Sequence, residues 1–152
     1  MVTSQQALKK YGQPDLLATQ SKNMIMWDVP AELEIGVIPK KLYCNKDMIE
    51  PLTKAFKNLI STGCVKELKT WDGCFNIRKK RGLTSMSLHS WGIAIDVNSF
   101  SNPLGLNREQ IRARRLTPFS EEFLQCFRDA GFDCGADWED RPDFMHMQIA
   151  SI

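Results

Sequence analysis

His89 and His146 are the only two histidines in this 152-residue chain, and each stands near a carboxylate. In "SLHSWGIAIDVN" His89 precedes Asp96 by seven residues, and in "PDFMHMQ" Asp143 lies three residues before His146. Two imidazoles and one carboxylate can hold zinc in a three-ligand site with one open position, where the metal acidifies water. A second carboxylate that is not a ligand is then needed to take a proton and give it back. Asp143 is the candidate nearest His146, with Glu139 and Asp140 as rivals. The competing reading is structural: two satisfied core histidines and an aspartate that forms a turn at a strand end.

For the chemistry to exist, particular elements must bring these side chains together. "GIAIDVN" reads as a strand with Ile93, Ile95 and Val97 on one face and Ala94 and Asp96 on the other. A uniform strand would put His89 and Asp96 on opposite faces, so Gly92 must supply a bend or bulge. "DFMHMQIA" reads as the closing strand, with Phe144, His146 and Gln148 sharing a face. Helices are expected at residues 4–11, from Asp47 to Ser61, and from Thr117-Pro118 to near Gly131. "MIMWDVP" and "VKELKTW" read as further strands, the latter pairing with "CFNIRKK" across Asp72-Gly73. The sum is an α+β fold, a small antiparallel sheet with helices packed on it, in a single domain spanning residues 1–152 with no separate binding domain.

Composition narrows the function. Hydrophobic residues make up 43% and charged residues 25%, and the net charge is +2, which excludes a strongly basic nucleic-acid binder. The runs "RKKR" at 78–81 and "RARR" at 112–115 are therefore read as solvated faces that attract anionic polymer, with no nucleic-acid partner. The five cysteines are odd in number and lack a C-x-x-C pair, which argues against a disulfide framework or a zinc ribbon. "MVTSQQALKKYGQPDLL" contains no long apolar stretch, so neither a secretory signal nor a membrane insertion is expected. The expectation is a monomer made in the cytoplasm. Trp71, Trp91 and Trp138 flank the two histidine segments; core packing is their ordinary role, and a groove wall for substrate is the functional one, foremost for Trp91 and Trp138.

"SLHSWGIAIDVN" resembles the S-x-H-x-x-G-x-A-x-D motif of the VanY/VanX-like zinc D,D-peptidases, of the M15 type. "GFDCGADWEDRPDFMHMQ" resembles their second motif, with its D-x-x-H, and "GCFNIRKKRG" is similar to the segment that carries a substrate-binding arginine. The three segments follow the family order over roughly residues 71–149, and "KKLYCNKDMIEPLTKAFKNLI" looks like phage members of the group. The resemblance implies a Hedgehog/DD-peptidase-like fold, zinc bound by His89, Asp96 and His146, and Asp143 as general base and then acid. It also implies that Arg78 faces the substrate, polarising the scissile carbonyl or holding a carboxylate, and that Ser87 supports the first motif. Ser87, Trp91 and Trp138 are then the expected substrate-binding residues, and Glu139 is a second candidate base. The substrate implied is a peptidoglycan stem peptide; members of the family cut either L-alanyl-D-glutamate or D-alanyl-D-alanine, and the phage-like look favours the first. A phage endolysin that reaches the wall through a pore made by another protein would fit. The alternative is a non-catalytic zinc-containing binding module of the same fold, against which the intact D-x-x-H speaks.

Overall fold

The computed structural model describes every residue from Met1 to Ile152. Helix α1 (Ser4–Tyr11) begins at a capping box in which Thr3 and Gln6 satisfy each other's backbone N–H, and it ends at Gly12. Helix α2 (Leu17–Asn23) leads into strand β1 (Met24–Asp28), which pairs antiparallel with β2 (Lys41–Asn45). Helix α3 (Ile49–Thr62) carries Pro51 in its first turn, where no intrahelical N–H is lost. Its Leu52, Ala55, Phe56 and Leu59 recur at helical spacing and are fully buried. Gly63 stops it in the left-handed region, at φ +77°.

A second sheet is built from β3 (Trp71–Gly73), β4 (Ala94–Val97), β5 (Phe132–Cys134) and β6 (His146–Ile149). Its order is β3-β4-β6-β5, antiparallel throughout. Helices α4 (Arg108–Ala113) and α5 (Glu121–Arg128) fall between β4 and β5 in the chain. Ser120 caps α5 by accepting from Phe123 N–H, with Glu121 and Glu122 in the first turn and Arg128 in the last, as the helix dipole favours. Phe119 stacks on Phe123 at 3.9 Å between ring centroids, and Phe127 continues the stripe. One apolar cluster joins α1, α3, α5 and both sheets, taking Ile95 from β4 and Met147 from β6. The strand alternation then leaves Ala94, Asp96, His146 and Gln148 on the opposite face. The fold is α+β, with two small antiparallel sheets and five helices, and no helix is long and apolar enough to cross a membrane.

Four elements differ from the sequence expectation. "VKELKTW" is a 3₁₀ turn at Cys64–Glu67, and only Trp71 enters a strand. Its polar positions are consumed by tertiary contacts: the Glu67 carboxylate accepts from Ser120 N–H and Oγ–H, and its carbonyl accepts from Asn98. "CFNIRKK" does not pair across Asp72-Gly73; β3 pairs with β4 instead, and Asn76 N–H donates to His89 O. Helix α5 starts at Glu121 rather than at Pro118, because Phe119 N–H is held outside the helix by Asn102 Oδ1. The last strand begins at His146, Asp143–Met145 being the turn that enters it. The short α2, α4, β2 and β5 carry too little periodicity to have been anticipated.

Candidate metal centre

His89 is placed by a turn rather than by a strand. Ser87 Oγ accepts from His89 N–H at 3.3 Å and caps the 3₁₀ turn Leu88–Trp91. Gly92 ends that turn with φ +66° and hands the chain to β4. A Cβ on Gly92 would lie 2.5 Å from Met24 Cε and 2.9 Å from Asn45 N, so both the dihedral and the space demand glycine. The reversal turns His89 back over Asp96: His89 Nε2 is 3.1 Å from Asp96 Oδ2. Asp96 sits directly across the β4–β6 ladder from His146, whose Nδ1 is 3.3 Å from Asp96 Oδ1. One ligand atom from each of His89, Asp96 and His146 lies within 4.8 Å of the others, and no other group of three or more such residues in the chain converges in this way.

The outer hydrogen bonds decide which ring nitrogen each histidine presents. His89 Nδ1–H donates to the Cys74 carbonyl at 2.8 Å, leaving Nε2 to face Asp96. His146 Nε2–H donates to Gln148 Oε1 at 3.0 Å, leaving Nδ1 to face the same carboxylate. Such outer partners fix tautomer and orientation at metal-binding imidazoles. Asp96 Oδ2 lies off the bonding direction of the His89 ring, so the buried Nε2 has no hydrogen-bond partner despite the short distance. A buried imidazole nitrogen without a partner, one carboxylate shared by two histidines, and two outer acceptors are what a tetrahedral N, N, O site with one open position requires. The residues fit zinc.

Charge in the site is arranged to hold one carboxylate firmly ionised and to bring the other close to its point of proton exchange. Burial works against ionisation of Asp96, but the hydrogen bond from His146 and the proximity of His89 hold its carboxyl well below the ordinary carboxylate range. Burial also works against His146, yet Asp96 raises its affinity for a proton. Asp143 behaves oppositely. Burial lifts its pKa to about 6, His146 partly offsets this, and the charge of Asp96 adds to it. Its buried Oδ1 has no hydrogen-bond partner. A carboxyl poised near neutrality beside a metal site is suited to exchange protons.

Asp143, Arg78, Ser87 and Trp138 line the same cleft of about 270 Å³ as the three candidate ligands. Asp143 is held by Gly135, whose carbonyl accepts from Asp143 N–H at 2.8 Å. A Cβ on Gly135 would run into the Asp143 backbone, so a glycine is required for this approach. Ser87 spends its hydroxyl on the His89 turn. Trp138 lies with its ring centroid 5.3 Å from that of His146 and forms a wall. Trp91 does not: it is 3% exposed, lies outside the cleft, and its Nε1–H donates to Gly12 O, tying the His89 turn to α1. The expectation of a groove wall at Trp91 is corrected accordingly. Glu139 and Asp140 are exposed and do not line the cleft. Gln148 and the Cys74 carbonyl were not anticipated. Gln148 was within reach of the sequence, two residues beyond His146 on the same strand face. A backbone carbonyl from a distant segment leaves no such signal.

Residues 80–149 match the family model of D-alanyl-D-alanine carboxypeptidase, an M15 peptidase family. The matched span contains His89, Asp96, Asp143 and His146 and stops short of Arg78. No curated protein and no solved structure matches the chain significantly.

Proposed function

We propose that the chain is a zinc metallopeptidase that hydrolyses an amide bond in peptidoglycan stem peptides, a reading supported by the match of residues 80–149 to the M15 peptidase family model. The observation that carries this reading is the convergence of His89, Asp96 and His146 on one point, with Asp143 beside it in the cleft. His89 through Nε2, His146 through Nδ1 and Asp96 would hold the zinc. What zinc contributes in such a site is Lewis acidity toward water and toward the scissile carbonyl. The remaining work falls to side chains. Asp143 takes a proton from the attacking water and delivers it to the leaving amine, for which a pKa of about 6 is suited. Arg78, a fixed cation at the cleft, balances charge that builds on the carbonyl oxygen. Trp138 shields the His146 side of the site from bulk water.

Of the two bonds that members of such a family cut, we favour L-alanyl-D-glutamate, because the segment "KKLYCNKDMIEPLTKAFKNLI" looks like phage lysins. The chain would then act as an endolysin, made in a host cytoplasm and released to the wall by another protein. Mass spectrometry of purified peptidoglycan digested with the zinc-loaded protein tests both levels. A new alanine carboxyl terminus with a glutamate amine supports the favoured bond. Free D-alanine reassigns the chain to carboxypeptidase. No released product from a folded, zinc-loaded chain overturns the peptidase reading.

A further inference from the structure

Four cations line the cleft, Arg78, Lys80, Arg81 and Arg141, and none of them forms an ion pair. Elsewhere Lys10, Arg108 and Arg128 are matched to carboxylates. The imbalance is local, since the whole chain carries only +2. Lys80 and Arg81 belong to a short hairpin. It is closed by a bridge between Lys79 and Met86, by Lys80 N–H to Ser85 O at 2.9 Å, and by Leu83 N–H to Lys80 O at 3.1 Å. Its base is anchored by Ser87 N–H to Arg78 O and by Ser4 Oγ–H to Met86 O. Near its tip the only side-chain hydrogen bond comes from a segment remote in the chain: Arg141 Nη1–H donates to Arg81 O at 2.8 Å.

We propose that this hairpin is the specificity element of the cleft: Lys80 and Arg81 bind a free carboxylate that the substrate carries beside the amide to be cut, and Arg141 is a positioning residue that holds the hairpin in place. The inference rests on the peptidase reading for its substrate, while its physical basis is independent of it. Unpaired cations gathered in one concavity repel each other, and the low-dielectric walls strengthen the field they jointly present. An anion relieves that repulsion, and a carboxylate matches the planar fork of a guanidinium with two parallel hydrogen bonds. Lys80 is partly buried, so part of its hydration is already lost before a ligand arrives. Arg141 spends one N–H on the Arg81 carbonyl, which fixes where the Arg81 side chain departs.

The test is the affinity of the zinc-loaded full chain for two short peptides that differ only in a carboxylate or an amide next to the scissile bond, by titration calorimetry before hydrolysis is scored. The carboxylate peptide is expected to bind about 10- to 100-fold more tightly, the range of a charge-assisted hydrogen bond. Lys80→Gln with Arg81→Gln should erase the preference while the affinity for the amide peptide and the zinc content stay unchanged. Arg141→Gln should weaken it several-fold, and Arg141→Lys, which can still donate to a carbonyl, should restore part. Arg112→Gln with Arg114→Gln, exposed and outside the cleft, is the control for general attraction. No preference in the wild type, a preference that survives the hairpin double variant, or an equal loss in the α4 control overturns the proposal. A preserved preference without hydrolysis of either peptide would sink the peptidase reading and leave this one standing; hydrolysis without preference does the reverse.

Discussion

At the scale of single residues, His89 and His146 reach one point with different nitrogens, Nε2 and Nδ1, because each has committed the other nitrogen to an oxygen acceptor. Removing an acceptor frees the ring to turn. Gln148→Leu should weaken zinc binding about 10- to 100-fold, measured by competition with a chromogenic chelator, while His89→Ala or His146→Ala should abolish it. Full zinc occupancy in either alanine variant would remove that residue from the ligand set. Asp143 is different, because it lies beside the three converging residues and is not one of them. Asp143→Asn should keep zinc and lose turnover by about 10²–10⁴-fold. Near-normal activity there, with a collapse in Glu139→Ala, would transfer the role to Glu139. The same substitution has a stability signature in the metal-free chain. With the folded pKa raised to about 6, Asp143 favours folding fully below the ordinary carboxylate range and loses that contribution as pH rises through about 6. Above that pH the buried carboxylate costs up to about 3 kcal/mol, at ~1.4 kcal/mol per pKa unit. Asp143→Asn should therefore melt higher than wild type at pH 8 and not at pH 4. A constant gap across that window would mean that the carboxyl is not buried in the way described.

At the scale of elements, the site depends on two glycines that let chain segments cross closely. Gly92 turns His89 back over Asp96, and Gly135 lets the Asp143 backbone pass against it. Gly92→Ala meets a left-handed dihedral and the Met24 and Asn45 contacts together, for which a loss of about 1–3 kcal/mol is expected along with weaker zinc binding. Gly135→Ala should spare zinc, since it touches no ligand, yet lower turnover by moving Asp143. Zinc affinity and turnover measured on both variants separate the two effects, and a loss of zinc affinity in Gly135→Ala equal to that in Gly92→Ala would contradict this division. In the helices, Phe119 stacks on Phe123 and Phe127 is tilted against it in the core where α5 meets α3, and Phe123→Ala should cost about 3–5 kcal/mol in chemical denaturation.

At the scale of the whole molecule, the cysteines are all buried and all free. Burial pushes the Cys44 and Cys134 thiols up to about 12, and Cys74 moves the same way for the same first cause. Thiolate is the reactive form, so alkylating reagents under native conditions should leave activity intact while a chelator abolishes it. Rapid inactivation by alkylation without unfolding would place a thiol in the chemistry.

Much of the site was legible because its signals are local. The alternation in "GIAIDVN" and "DFMHMQIA" placed Asp96 and His146 each on a defined strand face, and the glycine between His89 and Asp96 announced a bend. Helix α1 was legible in its stop at Gly12, and helix α3 in its apolar spacing and its stop at Gly63. The short α2, α4, β2 and β5 were not, since those runs hold no distinct period. "VKELKTW" was misread because Glu67 answers to Ser120, far away in the chain. The sequence alone determined which candidate donors are at hand and the strand faces of Asp96 and His146, because residue type and strand period are local properties. Only the tertiary structure decided that Asp96 stands opposite His146, that His89 offers Nε2 to a shared point, that Trp91 belongs to the core, and that Arg141 reaches the Arg81 carbonyl. Each of these is a pairing between residues remote in sequence, set by register and packing, which no local pattern encodes.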